Sequence, residues 1–288
     1  TELSSRFLFP RISTIQRRIV SDHREVMAMG KAQSHDLPDV LLVGNSLLLH
    51  GVDYPRLREG VSDRAEIIRY GIENTEYLDW YYGLRRLFAE GVRPSTVILC
   101  LNLGQTLSHG VLDESARRLI QASDLLKVSR EAGMDTTKTS GFVIAHWSDF
   151  YAYRATIRNY IINKSDPPYA SALHALARRP PTFPSNETVT KEARHRLADL
   201  RNLCRENGAE FVLLVPPALS DRNEALEKAA ILENIEVETP VTEVPLTDEF
   251  FLPDRFHLNE RGQKLFTDAL LRDLQSRFRE SPLLPAGQ

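Results

Sequence analysis

Three residues of the chain have the types that serine-dependent acyl transfer requires. Ser46 directly follows a short apolar run, and Asp254 and His257 stand three residues apart near the C-terminus. A serine hydroxyl is a weak nucleophile until a neighbouring base accepts its proton, and an imidazole suits that role near neutral pH. A carboxylate bonded to the other ring nitrogen holds the imidazole in one tautomer. The residue types therefore predict Ser46 as nucleophile, His257 as base and Asp254 as its orienting acid.

Short apolar runs alternate with amphipathic segments along the chain. The runs are rich in Val, Ile and Leu and are bounded by Gly or Pro, which is typical of strands buried on both faces of a parallel sheet. This alternation predicts an α/β fold with three layers (α/β/α) and about five parallel strands. The predicted strands cover residues 39–44, 65–70, 96–101, 210–215 and 235–238.

Helices are predicted between these strands and after the last one. Gly91, Gly133 and Gly208 each close an amphipathic segment, as glycine commonly does at a helix C-terminus. Asn259 is a favourable N-cap for the last helix. The predicted helices cover residues 76–90, 114–131, 189–207 and 259–278.

The predicted domain organisation is simple. Residues 1–37 form a helical or extended lead-in, and residues 38–288 form one α/β domain. Residues 134–188 interrupt the strand–helix alternation, because they are rich in aromatic residues and end in a proline-rich stretch. They are predicted to be a helical insertion that covers one end of the sheet.

Further polar groups follow the predicted strands at the edge where ligands of open parallel sheets bind. An oxyanion that forms during acyl transfer needs preorganised donors. The backbone N–H groups of Ser46 and Gly71 and the side chain of Asn102 are the candidates. Four other residues are expected to line the site: Asn45, Asn74, Gln105 and Arg255.

This arrangement resembles the SGNH (GDSL-like) hydrolase family over most of the chain outside residues 134–188. Residues 44–46 resemble the first block, with Asn45 where Asp is usual, and residues 69–74 are similar to the second block, whose glycine donates its N–H to the oxyanion. The Asp254-x-x-His257 pair matches the fifth block. The third block differs, because the family usually shows Gly-x-Asn-Asp where residues 102–105 read Asn-Leu-Gly-Gln. The resemblance implies a flavodoxin-like fold.

The altered third block, the aromatic insertion and the prolines at 216–217 look most like one branch of that family. This branch comprises cell-envelope proteins related to alginate O-acetyltransferase and lipoteichoic acid D-alanylation proteins. The likeness implies a periplasmic or other extracytoplasmic location. It also implies that any membrane association depends on a segment outside this sequence.

Three functions remain open at this stage. The first is a serine esterase or acylhydrolase that acts on O-acyl esters, with carbohydrate esters among its candidate substrates. The second is an O-acyltransferase that modifies a cell-envelope polysaccharide. The third is an inactive protein of the same fold that binds glycan without turnover, and the altered third block is its motivation.

Composition and motifs exclude several other classes. The net charge is −3 with both signs mixed, so no nucleic-acid partner is expected. The sequence contains no run of 18 apolar residues, so no membrane span is predicted. The sequence contains no glycine-rich phosphate-binding loop, so no nucleotide cofactor is indicated. Neither a metal nor an organic cofactor is expected. Cys100 and Cys204 are predicted to be small buried hydrophobic residues. His50 either lines the site or lies on an ordinary helix face.

Overall fold

The computed structural model describes residues 13–29, 37–165, 186–219 and 223–278. Its centre is one sheet of five parallel strands in the order β2-β1-β3-β4-β5. This order is flavodoxin-like, with a topological switch point between β1 and β3. The predicted three-layer α/β/α fold is confirmed. The strands are β1 (Asp39–Gly44), β2 (Glu66–Gly71), β3 (Thr96–Cys100), β4 (Glu210–Leu214) and β5 (Glu236–Glu238).

Helices cover both faces of this sheet. Short 3₁₀ turns also occur at Asp113–Ser115, Ala122–Asp124 and Asp248–Phe250. The helices of the described residues are α1 (Thr14–Ala28), α2 (Ser46–Gly51), α3 (Tyr54–Gly60), α4 (Tyr77–Ala89), α5 (Leu103–Leu107), α6 (Ala116–Leu119), α7 (Leu125–Glu131), α8 (Thr136–Trp147), α9 (Asp149–Ala152), α10 (Arg154–Ser165), α11 (Asn186–Glu206), α12 (Glu224–Leu232) and α13 (Glu260–Arg277).

Two hydrophobic cores form because successive strand residues point to opposite faces. Within β1, Leu41 and Val43 belong to the core under α1, α4, α11 and α12. Val40 and Leu42 belong to the core under α2, α3 and α13. All four side chains are fully buried, as the continuous apolar runs of the predicted strands require.

The lead-in helix α1 is part of the domain's core. It packs on the edge strand β2, and its Ile19 and Val26 are buried in the same core as α4. Its Asp22 accepts from Arg69 of β2, with N–O distances of 3.4 Å. Arg18 of α1 also donates to the carbonyl of Gly71 at the edge of β2.

The prediction of a single helix over residues 114–131 is wrong. The chain instead forms two short helices, α6 and α7, separated by an extended residue at Ile120 (φ −107°, ψ 131°) and a 3₁₀ turn. Arg86 of α4 donates to the carbonyl oxygens of Arg117 and Ile120. A continuous helix would use those carbonyls internally, so this tertiary contact is compatible with the break.

Other local predictions agree with the structure. Cys100 and Cys204 are buried and free. The described part of the predicted insertion 134–188 is helical, and residues 166–185 lie outside the described residues. Among the helices that the structure describes, none is both long and apolar enough to cross a membrane.

Gly44, at the end of β1, lies close against the backbone of β3. A Cβ atom there would stand 2.9 Å from the carbonyl oxygen of Cys100 and 3.0 Å from Cβ of Leu48. We predict that Gly44→Ala lowers the free energy of unfolding by about 1–3 kcal/mol, because neither neighbour is the free end of a flexible side chain. Urea denaturation measures the loss.

Gly51→Ala is the matched control for this prediction. A Cβ atom at Gly51 would meet only the Phe266 ring at 3.8 Å, an ordinary contact distance. Since alanine favours a helix over glycine by up to about 1 kcal/mol, this change should be neutral or stabilising. Equal effects of the two substitutions would contradict the steric explanation.

Candidate active site

The structure brings Ser46, His257 and Asp254 together in one hydrogen-bonded chain. The Oγ atom of Ser46 lies 2.8 Å from Nε2 of His257. The Nδ1 atom of the same ring lies 2.8 Å from Oδ2 of Asp254. With Nδ1 protonated, the ring donates to Asp254, and its Nε2 can accept the Ser46 proton. The arrangement can therefore activate a serine hydroxyl.

A tight hairpin positions the acid and the base. Phe251 and Leu258 form an antiparallel bridge, and the N–H of Leu252 donates to the carbonyl of His257 at 2.8 Å. Arg255 occupies the turn with φ 56°, in the left-handed region that non-glycine residues rarely adopt. This turn brings the Asp254 carboxylate back onto the His257 ring.

The Asp254 carboxylate is held in its ionised form. Partial burial on its own would raise the pKa of Asp254, but hydrogen bonds from the His257 ring and from the backbone N–H groups of His257 and Phe256 lower it to about 2. Those two amides donate to Oδ1 at 3.0 and 2.9 Å. The carboxylate therefore remains a charged acceptor for the imidazole at neutral pH.

Asn45 links the nucleophile to the loop after β2. Its Oδ1 accepts from the N–H of Leu47 at 3.0 Å and so caps α2, in which Ser46 is the first residue. Its Nδ2 donates to the carbonyl of Thr75 at 2.8 Å. The side chain is fully buried and so does not line the surface of the site. The usual aspartate could cap the helix but, when ionised, could not donate to Thr75.

The backbone N–H and C=O groups of Gly71 point away from β1, the strand that ends before Ser46. Ile72 donates its N–H to the carbonyl of Gly44 at 3.0 Å, so the alternate residue Gly71 directs its own N–H and C=O to the other side of β2. There its carbonyl accepts from Nη1 of Arg18 at 2.6 Å. This direction argues against Gly71 as an oxyanion donor.

Asn102 follows β3 by the same interval as Ser46 follows β1. Gly44 pairs with Cys100, and Ser46 and Asn102 each follow two residues later. The Oδ1 atom of Asn102 accepts from the N–H of Gln105 at 2.9 Å, and Oε1 of Gln105 accepts from the N–H of Asn102 at 3.1 Å. This capping box occupies both side-chain oxygens and leaves the two NH₂ groups to donate elsewhere.

The other two predicted lining residues have different positions. Asn74 is exposed, adopts φ 59° and borders a cavity of about 160 Å³ that Glu73 and Arg118 also line. Arg255 pairs with Asp248 at 3.0 Å, and both side chains are mostly exposed. The Arg255 side chain is thus held in a surface ion pair, and the residue's contribution to the site is the backbone turn.

Two aromatic rings contact the candidate base. The His50 ring lies with its centroid 4.8 Å from that of His257, and the Phe256 ring lies 4.9 Å away, edge-on. Phe256 was not among the residues predicted from the sequence. Its position between Asp254 and His257 was the available signal. Burial and the neighbouring His257 lower the pKa of His50, against the opposing effects of Asp254 and Glu73.

No cluster of three or more His, Cys, Asp or Glu side chains suited to a metal ion occurs within the residues that the structure describes. His146 bonds through Nδ1 to the carbonyl of Ala116 at 3.0 Å, and the His109 ring contacts Arg196.

Neither a protein-family model nor a curated protein matches the chain. Among solved structures, the chain is similar to TesA, with 14% identity, coverage of 83% of this chain and 98% of that one, and a TM-score of 0.42. It is also similar to a member of the lipolytic protein G-D-S-L family from Veillonella parvula DSM 2008, with 13% identity, 82% and 98% coverage, and a TM-score of 0.38.

The fold is a three-layer α/β/α sandwich with a flavodoxin-like strand order. The sheet order, the serine that follows β1 and the Asp-x-x-His pair before the last helix agree with the resemblance found in the sequence.

Asn45→Asp tests the link between the nucleophile and the loop after β2. The aspartate keeps the helix cap but leaves the buried carbonyl of Thr75 without its donor, so we predict a loss of about 1–3 kcal/mol in the free energy of unfolding. Urea denaturation measures it. Asn202→Asp is the control, because the Asn202 oxygen accepts from arginine side chains and an aspartate would keep those bonds. Equal losses would contradict the prediction.

The lowered pKa of Asp254 predicts a pH dependence of stability. The pKa rises from about 2 in the folded state to its ordinary 3.8 on unfolding, so the stabilising contribution is complete above about pH 4 and is lost as the pH falls through 2. The stability difference between the native chain and Asp254→Asn should shrink over that range. Urea denaturation from pH 2 to pH 6 measures it, and a constant difference down to pH 2 would refute the prediction.

Proposed function

We propose that the protein is a serine esterase that transfers the acyl group of an O-acyl ester first to Ser46 and then to water. The single observation that carries the proposal is the continuous hydrogen-bond chain from Ser46 through His257 to Asp254, with both distances at 2.8 Å. A nucleophile, a base and an orienting carboxylate in contact make up the apparatus of covalent acyl transfer.

Acylation begins with attack of the Ser46 oxygen on the ester carbonyl carbon. His257 accepts the hydroxyl proton at Nε2 as the new C–O bond forms. Asp254 stabilises the resulting imidazolium, and its own pKa of about 2 keeps it ionised throughout. The imidazolium then gives its proton to the departing alkoxide as the original ester C–O bond breaks.

Negative charge on the carbonyl oxygen needs donors at this stage. The N–H of Ser46 belongs to the first residue of α2 and has no partner within that helix. The NH₂ group of Asn102 is the second candidate donor, since the capping box occupies only its oxygen. Of the three donors predicted from the sequence, the proposal keeps Ser46 and Asn102 and leaves out Gly71, because the Gly71 carbonyl accepts from Arg18 on the other side of β2.

Deacylation uses the same base. A water molecule gives its proton to Nε2 of His257 and attacks the acyl carbon, and the proton then returns to Ser46 as the acyl–serine bond breaks. An alcohol could take the place of the water, which is the transferase alternative. No contact among the described residues favours a polysaccharide acceptor over water, so hydrolysis is the proposed reaction.

Intact-mass labelling with a fluorophosphonate tests this proposal. The native chain should gain one adduct, and Ser46→Ala and His257→Ala should gain none. Hydrolysis of p-nitrophenyl acetate should fall by about 10⁴-fold in Ser46→Ala, because the covalent path is lost. Ser123→Ala is a control for nonspecific labelling, since Ser123 is an exposed serine remote in sequence.

Each outcome has a distinct meaning. One adduct that disappears in both triad variants and persists in Ser123→Ala supports an activated Ser46. A folded native chain that stays unlabelled would refute the enzyme proposal in favour of a protein that binds without turnover. Labelling together with turnover that requires an added polysaccharide would favour the O-acyltransferase.

A further inference from the structure

We propose that His50 forms, beside His257, a subsite for the alcohol portion of the ester and selects alcohols that carry a second hydroxyl group. This inference rests on the esterase function proposed above and names the chemical class of the group that leaves. In such an alcohol one hydroxyl forms the ester, and a neighbouring hydroxyl bonds to the His50 ring.

The position of His50 follows from α2. His50 is the fourth residue after Ser46, which is about one helical turn. Both side chains therefore lie toward the same side of the helix. Its ring centroid is 4.8 Å from that of His257, with the planes tilted by 49°. Ser46 and Asp254 already occupy the two ring nitrogens of His257. His50 therefore contacts His257 as a ring neighbour.

The proton path locates the alcohol. The leaving oxygen receives its proton from Nε2 of His257, so the alcohol must stand at that nitrogen when the ester C–O bond breaks. An incoming alcohol or water molecule occupies the same place in the reverse direction. His50 is exposed and contacts the ring that carries this nitrogen, and the proposed subsite is therefore placed at His50.

The His50 ring is available to bind a hydroxyl group. Within the described residues, neither of its nitrogens has a hydrogen-bond partner, and the ring is exposed to solvent. Burial and His257 lower its pKa, while Asp254 and Glu73 oppose that change, so the neutral form is favoured at neutral pH. A neutral imidazole can donate one hydrogen bond and accept another, as a hydroxyl group can.

Phe256 supplies an apolar surface next to the same base. Its side chain is 42% exposed, and its ring meets the His257 ring edge-on at 4.9 Å. The proposed alcohol site therefore combines the polar ring of His50 with the apolar ring of Phe256. Small polyols, which present C–H groups and neighbouring hydroxyls, fit both surfaces.

Steady-state hydrolysis of matched acetate esters tests the inference. Glyceryl monoacetate and propyl acetate differ in the hydroxyls of the alcohol, and p-nitrophenyl acetate serves as a reference whose leaving group needs no protonation. In the native protein, kcat/KM should be higher for glyceryl monoacetate than for propyl acetate. His50→Phe should lower kcat/KM for glyceryl monoacetate by about 3- to 10-fold, the value of one neutral hydrogen bond.

Control variants separate binding from structure. His50→Phe should lower kcat/KM for glyceryl monoacetate more than for the other two esters, and His50→Gln should retain part of the preference, because glutamine keeps a donor and an acceptor. His195→Phe is the matched control on α11, where His195 is a largely exposed histidine paired with Asp199. It should change none of these values.

Two results would overturn the inference while leaving the esterase proposal intact. One is labelling of Ser46 without a native preference for glyceryl monoacetate. The other is a preference that survives in His50→Phe. Absence of labelling in the folded native chain would instead refute the esterase proposal itself, and the inference about His50 would fall with it.

Discussion

The parallel register of β1 between β2 and β3 positions the groups of the candidate site. Gly44 pairs with Gly71 on one side and Cys100 on the other. Ser46 and Asn102 follow the paired residues by the same interval, so both lie just beyond the carboxyl ends of neighbouring strands. A slip of one residue would turn every side chain of the strand to the opposite face. The close backbone contact at Gly44 helps to hold this register.

Different interactions hold Asp254 and His257 in position. Both residues belong to a hairpin closed by backbone hydrogen bonds and by Asn259, whose side chain caps α13 and also donates to the carbonyls of Glu249 and Phe251. Phe250, Phe251 and Leu258 are buried in the core beneath α13. The geometry of the Asp254–His257 pair is thus local, whereas its distance from Ser46 depends on how α13 packs against α2.

Most of the fold could be predicted from the sequence, because buried parallel strands appear as apolar runs bounded by glycine and proline. The serine and the Asp-x-x-His pair were also predictable as candidates, since their types define the chemistry. The break near Ile120 was not, because it involves Arg86 from a distant helix. The direction of the Gly71 backbone was not either, since it depends on strand pairing and on Arg18. Sequence patterns carry little information about such long-range polar contacts.

The long sequence separation between Ser46 and the pair Asp254 and His257 has a consequence for biosynthesis. Ser46 and His257 are 211 residues apart, and Asp254 lies in the same late segment as His257. In a nascent chain the turn at Ser46 and all five strands are translated before that segment. Its serine then lacks a base and remains an ordinary hydroxyl. Ser46 gains its base only when the C-terminal hairpin and α13 pack onto the rest of the domain. Chains that end before this segment therefore lack the proposed activity.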